Sequence, residues 1–245
     1  MDVRVVSLAE RPDLGDQLWA FSDGWPAFML HDPVARLMDH LPERFPQLQL
    51  LAVDDQDRAV AKAHGLTFAW DGPPADLPAR GWDAILERGM ADHAEGRSPT
   101  AASALEISVL PHLRGTGLSV LMLGALRDAV AAMGLRDLFA PVRPNHKHLE
   151  PDTPMAEYAF RTRPDGLPHD PWLRVHVRAG ADVVAVAPLS MTIPGTLAQW
   201  RSWTGLPLDR SGPTFVDGAL SRVHVSVEHD HAVYVEPNVW VHHHV

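Results

Sequence analysis

Apolar residues alternate or recur at helical spacing along most of the chain, and the punctuation between these stretches predicts the elements. Residues 3–8 form a β-branched run ending at the turn-like Glu10-Arg11-Pro12-Asp13, after which Leu14, Leu18 and Phe21 fall at helical spacing. Asp32 as N-cap with Pro33 in the first turn predicts a second helix carrying Val34, Leu37, Met38 and Leu41 on one face up to Pro42. Runs at 48–53 and 59–70, separated by Asp54-Asp55-Gln56-Asp57, predict an antiparallel hairpin. A Pro- and Gly-rich loop from Asp71 leads to a helix over 82–93.

The chain continues with a strand at 101–110, a turn at 111–116, a helix from Gly117 to Met133 ended by Gly134, and a strand at 138–142. An irregular stretch with a short helix at 155–161 follows, then a helix opened by Asp170-Pro171 and closed by Gly180. The remainder predicts a strand at 183–187, a helix at 194–203, and a hairpin of 223–227 with 232–235 around Glu228-His229-Asp230-His231. Strands and helices mixed in this order define an α/β (α+β mixed) fold around one largely antiparallel sheet.

Composition narrows the chemistry. At 46% hydrophobic and 21% charged the 245 residues have ordinary globular character, and no apolar run is long enough for a bilayer span. The absence of cysteine removes disulfides, thiolate ligands and thiol nucleophiles. A net charge of −10, with Lys62 and Lys147 as the two lysines, argues against nonspecific nucleic-acid binding. The expectation is a cytoplasmic chain, monomer or homodimer, without membrane or nucleic-acid partners. Fifteen histidines are scattered without a helical HExxH pair, so no metal ligand set is expected; His242, His243 and His244 read as an adventitious binder, and His229 and His231 as a solvated hairpin tip. Trp200 and Trp203, at i and i+3, read as a core stripe in preference to an aromatic wall.

The chemistry concentrates at Arg114-Gly115-Thr116-Gly117-Leu118-Ser119, which follows a strand and opens a helix. Several backbone N–H groups converge there at a positive helix terminus, and the glycines allow close approach of an anion such as a pyrophosphate. The spacing fits neither a P-loop nor a dinucleotide-binding GxGxxG.

With its flanks, the stretch from Leu105 to Ser119 resembles the signature of the GNAT superfamily of acyl-CoA-dependent N-acetyltransferases: Val109 and Pro111 end the strand, and Arg114 and Gly117 fall in the Arg/Gln-x-x-Gly-x-Gly/Ala loop. Ser119 departs from the small Gly or Ala usual at the last position. The resemblance implies a central, largely antiparallel twisted sheet flanked by helices. It implies a GNAT-like acyl-CoA-binding domain over 1–187; the resemblance covers 188–245 poorly, and there the residue pattern itself adds a C-terminal helix and β-hairpin extension packed on the same domain. It also implies acetyl-CoA as cofactor and direct transfer to the amine of a small molecule or peptide, the alternative being a noncatalytic acyl-CoA sensor. Carried onto this chain, the cofactor-binding residues are the backbone of Ile107, Ser108 and Val109, the loop Arg114, Gly115, Thr116, Gly117, Leu118 and Ser119, and Asn145, which is equally a plain turn residue.

The family's later helix carries a proton-donating tyrosine four residues before a glycine; here His176 stands in that place, as an imidazolium acid or a packing residue. Tyr158, inside an implied insertion over 146–169, is the rival acid. Glu106 is the candidate base, or an exposed strand carboxylate. Strand alternation puts it on one face with Ser108 and puts Ile107 and Val109 on the other.

Overall fold

The computed structural model describes residues 3–20 and 24–245; Phe21 lies outside them. Among the described residues nine strands form one mixed sheet in the order β1-β2-β3-β4-β5-β9-β8-β7, with β6 also paired to β9. The strands are β1 (Arg4–Ser7), β2 (Gln49–Val53), β3 (Ala59–Phe68), β4 (Ala101–Val109), β5 (Asp137–Val142), β6 (Asp182–Thr196), β7 (Gly212–Thr214), β8 (Val223–Ser226) and β9 (His231–His244). All neighbours are antiparallel except β4 and β5.

The helices are α1 (Leu41–Arg44), α2 (Gly81–Ala94), α3 (Leu118–Ala132), α4 (Met155–Tyr158), α5 (Pro171–Arg178) and α6 (Leu197–Thr204), with short 3-10 turns between them. None is long and apolar enough to cross a membrane. One face of the sheet buries Phe28, Phe68, Ile85, Trp200 and Trp240 beneath α2 and α6; the other buries Met122, Leu126, Leu138, Leu173 and Val241 beneath α3 and α5. Each such fully buried side chain contributes about 1.5–3 kcal/mol of transfer free energy.

Where local chemistry decides, the elements fall as the sequence predicts. Asp170 accepts from Trp172 and Leu173 N–H at the start of α5, and Gly180 at φ 84° follows its end. The helix predicted from Asp32 is different. Asp32 does cap Val34 and Ala35, but the chain then makes a 3-10 turn over Ala35–His40 and restarts as α1. Pro42 explains the break, since it has no N–H to continue the ladder and its ring collides with the carbonyl four residues back.

The largest departure concerns the last third. The strand predicted at 183–187 runs on to Thr196 through Pro188, Pro194 and Gly195, absorbing the start of the helix expected at 194; α6 begins instead at a capping box of Thr196 and Gln199. The strand expected at 232–235 continues to His244. β6 lines one edge of β9 throughout, while β8 and β5 share the other: β8 pairs with residues up to Val233 and β5 with residues from Val239. Residues 188–245 thus contribute the strand that carries β5, and position 187 falls within β6.

Candidate active site

The parallel pair β4 and β5 stays in register only at Ala102↔Leu138 and Ser103↔Phe139, then splays. Beyond Ser103, β4 remains paired to β3 through Ile107, Ser108 and Val109, so its opposite edge faces the gap. A bulge supports the divergence: His64 pairs with Glu106 and Gly65 with Ala104, leaving Leu105 as the extra residue, its carbonyl accepting from Trp82 Nε1 at 3.0 Å. A cleft of about 930 Å³ occupies the opening and runs through the sheet.

On the α3 side the cleft is lined by Ile107, Val109, Arg114, Gly115, Leu118, Ser119 and Asn145, and across β4 by Ser108. Gly115 and Gly117 adopt φ of 79° and 93°, in the left-handed region that favours glycine, and space is open where a Cβ would stand on either. Gly117 is the N-cap of the fifteen-residue α3, whose first two N–H groups, those of Leu118 and Ser119, have no intrahelical acceptor. Arg114 is exposed, its guanidinium over the Gly24 backbone. Exposed Thr116 donates its hydroxyl back to the Leu113 carbonyl, fixing the turn. The loop and the unpaired edge of β4 therefore fit a pyrophosphate followed by an extended, amide-bearing arm.

The opposite end of the cleft carries acids. Glu106 and Ser108 share a face, and Ser108 Oγ donates to Glu106 Oε1 at 2.5 Å; Ile107 and Val109 pack on the α3 side. The Glu106 side chain is 9% exposed, with Lys62 Nζ at 3.4 Å, His64 Nε2 at 3.8 Å and Trp25 Nε1 donating at 3.4 Å. Glu236, fully buried, lies in the stretch of β9 between its β8 and β5 partners. It receives Arg143 Nε on both oxygens (2.9 and 3.1 Å), Tyr234 OH (3.0 Å) and Asn238 Nδ2 (3.1 Å). Exposed Asp217 completes the set and makes no ion pair among the described residues. Trp203 lines this end stacked on His31, whereas Trp200 is sealed in the core, so the two tryptophans divide between wall and core.

The two candidate acids separate. Tyr158 does not line the cleft: its hydroxyl donates to Asp170 Oδ2 at 3.0 Å, and burial, then the Asp170 charge, raises its pKa. Asp170 also accepts from His146 N–H, so Tyr158 closes the 146–169 segment onto the N-terminus of α5. His176 does line the cleft, packed edge-on to Trp172, with Nδ1 2.8 Å from His243 Nε2. Burial, then the His243 charge, pushes its pKa down to about 3. The ring is neutral at physiological pH and supplies no imidazolium, which corrects that version of its role.

Glu236, Arg143, Asp217, Trp25 and Lys62 were not candidates from the sequence. The one local signal was Lys62, a charge set among the apolar residues Ala59, Val60, Ala61 and Ala63.

No protein-family model matches the chain. It is 33% identical to the arginine N-acetyltransferase avaD of Aspergillus versicolor over 267 residues, covering 96% of this chain and 91% of the relative. The fold resembles the loading GNATL domain of CurA from Lyngbya majuscula, with TM-score 0.63 and 17% identity over 99% of this chain and 96% of that one. It also resembles the GphF GNAT-like decarboxylase in complex with isobutyryl-CoA, with TM-score 0.57 and 16% identity over 100% and 99% of the two chains. With the splayed strands and the glycine loop at a helix start, these similarities place the chain in the GNAT superfamily of acyl-CoA-dependent N-acetyltransferases. It is an acyltransferase that uses acetyl-CoA to acetylate an amine.

Proposed function

We propose that the acceptor is arginine or a closely related guanidino amine, and that Glu106 is the base that takes the proton of the attacking nitrogen. The observation that carries this reading is Asp217, exposed on the acid-lined end of the cleft. Lys62 stands against Glu106 and Arg143 grips Glu236, whereas Asp217 makes no ion pair among the described residues and remains for a cationic substrate. A guanidinium suits that place, because its planar fork pairs bidentately with a carboxylate and stacks on an aromatic face such as that of Trp203. The 33% identical relative, an arginine N-acetyltransferase, supports the same class.

Within this reading each residue has one task. Bound acetyl-CoA supplies a thioester at the splay. Arg114, Gly115, Gly117, Leu118 and Ser119 hold its pyrophosphate, Thr116 shapes that turn, and the free edge of Ile107, Ser108 and Val109 aligns its arm, with Asn145 at the rim. Glu106, oriented by Ser108 and Trp25, accepts the amine proton. His176 acts as a neutral N–H donor toward the leaving sulfur: its buried Nε2 has no hydrogen-bond partner among the described residues, and an unsatisfied buried polar group of this kind costs about 1–3 kcal/mol until a partner arrives. This role needs the tautomer in which His243 Nε2–H donates to His176 Nδ1.

Thiol release from acetyl-CoA tests the acceptor, with L-arginine, agmatine, L-lysine and L-norvaline compared. Arginine should exceed norvaline in kcat/KM by on the order of 100-fold or more, since a polar site rejects an analogue lacking the matching group. Asp217→Asn should raise the KM for arginine roughly tenfold, as expected for a lost charge-assisted hydrogen bond on an exposed group. Equal turnover of arginine and norvaline, or an unchanged KM in Asp217→Asn, overturns the assignment.

A further inference from the structure

We propose that Asp137, His242 and His244 form a binding site for a divalent transition-metal ion of the zinc type, on the face of β9 opposite the one from which His243 meets His176. The site follows from sheet register. Alternation along β9 sends His242 and His244 to one face and His243 to the other, where it meets His176. On one edge, β5 sets Asp137 opposite His244; on the other, β6 sets Asp182 opposite His242. Three adjacent strands therefore bring two imidazoles and two carboxylates to one end of the sheet.

The distances fit a single ion. His242 Nε2 is 2.7 Å from Asp137 Oδ1, His244 Nδ1 is 4.0 Å from the same oxygen, and one donor atom from each of the three residues lies within 4.8 Å of the others. Ligands at 2.0–2.1 Å around a tetrahedral centre stand roughly 3.4 Å apart, so closure asks for donor-to-donor changes of roughly 0.6–1.4 Å, which the exposed His244 and Asp137 side chains can supply. The ion takes the place of the proton now lying between His242 and Asp137.

The donor set selects the metal. Two imidazole nitrogens and one carboxylate oxygen leave a fourth position for water, the composition of open zinc sites, and lack the six or more oxygens that calcium requires. The surroundings are also those of a metal site. The His242 ring is buried and stacked on Phe139 at 4.6 Å, so one ligand is fixed, while Asp137 and His244 are reachable from solvent. With His244 bound through Nδ1, its Nε2 lies 3.9 Å from Asp182 Oδ2, which places a carboxylate behind the ring where one hydrogen bond would orient a metal-bound imidazole. Two carboxylates balance the charge of the ion. Arg127, which donates to the His244 carbonyl, anchors the strand end.

Zn²⁺ titrated into the chelator-treated full chain, followed by calorimetry and thermal melting, tests the proposal. One ion per chain and a rise in Tm are expected, with His244→Ala and Asp137→Asn each weakening binding by on the order of 100-fold and Asp182→Asn by roughly tenfold. His244 is exposed, so its substitution reads the site even where Asp137→Asn perturbs folding. The hairpin histidines serve as control, and His229→Ala should leave binding unchanged. Affinity that survives Asp137→Asn in a folded protein means an adventitious histidine run and overturns the site, as does binding that is lost with His229→Ala or exceeds one ion per chain.

Discussion

Lys62 Nζ on β3 lies 3.4 Å from Glu106 Oε1 on β4, with the two side chains only 3% and 9% exposed, so the charge that is to accept a proton from substrate sits against a buried cation. Breaking such a pair from one side costs about 3–5 kcal/mol because the remaining charge is stranded. Lys62→Met should therefore destabilise the fold strongly in denaturant titration, and adding Glu106→Gln should recover much of the loss. Glu106→Gln alone should lower kcat by about 10²–10⁴ with acetyl-CoA affinity unchanged. A single Glu106→Gln enzyme at the parent rate would remove Glu106 as the base.

The glycine loop predicts binding, not turnover. Arg114→Ala should weaken coenzyme A by about 1.5–3 kcal/mol in calorimetry, the range for a hydrogen bond to a charged group. Gly117→Val forces a β-branched residue to φ 93°, so it should fray the start of α3 and reduce affinity further. Unchanged affinity in both folded variants would move the pyrophosphate elsewhere.

His176 separates binding from chemistry. His176→Phe should keep acetyl-CoA affinity and lose turnover by on the order of 100-fold, and His176→Gln, which retains an N–H donor, should recover part of it. Because the ring titrates at about 3, no limb of kcat between pH 5 and 9 belongs to it. Its folded pKa lies below the unfolded value near 6.5, so its stabilising effect is complete above 6.5 and is lost as pH falls toward 3. A parent-like limb that vanishes only in the mutant would restore the imidazolium.

The legible parts of this protein are those fixed by a few contiguous residues. The Arg114 to Ser119 loop carries its own φ demands and helix start, and Asp170-Pro171 with Gly180 brackets α5 by capping alone. What was hidden depends on strand pairing at long range. Pro188, Pro194 and Gly195 look like breakers, yet a register shift between Ala187 and Met191 takes up Pro188, and Pro194 pairs with Val233. Glu236-Pro237-Asn238 lies beyond the end of the strand expected at 232–235 and instead continues a central strand with a buried acid. The neutrality of His176 comes first from its burial and then from His243, and the proposed ligating partner of His242 and His244 is Asp137, far upstream. Neither is visible in any local pattern.

Asp32 and Asp83 join the 3-10 segment that leads into the cleft to helix α2, and both are buried beside β6. Asp32 spends one oxygen on the Val34 and Ala35 amides. Its other oxygen, like Asp83 Oδ1, has no hydrogen-bond partner among the described residues. Burial, reinforced by the Asp32 charge and opposed by Arg80, pushes Asp83 up to about 8, so the pair holds a proton at neutral pH. The folded pKa lies above the unfolded value near 3.8. The folded state therefore binds the extra proton between those values, and stability is fully present below 3.8, declines as pH rises, and levels off above about 8. Asp83→Asn keeps a neutral group of the same shape and removes the titration. Its Tm relative to the parent should rise progressively from pH 5 to pH 8 and stay constant from 8 to 9.5. A difference independent of pH across that range would show that Asp83 is ionised in the folded protein.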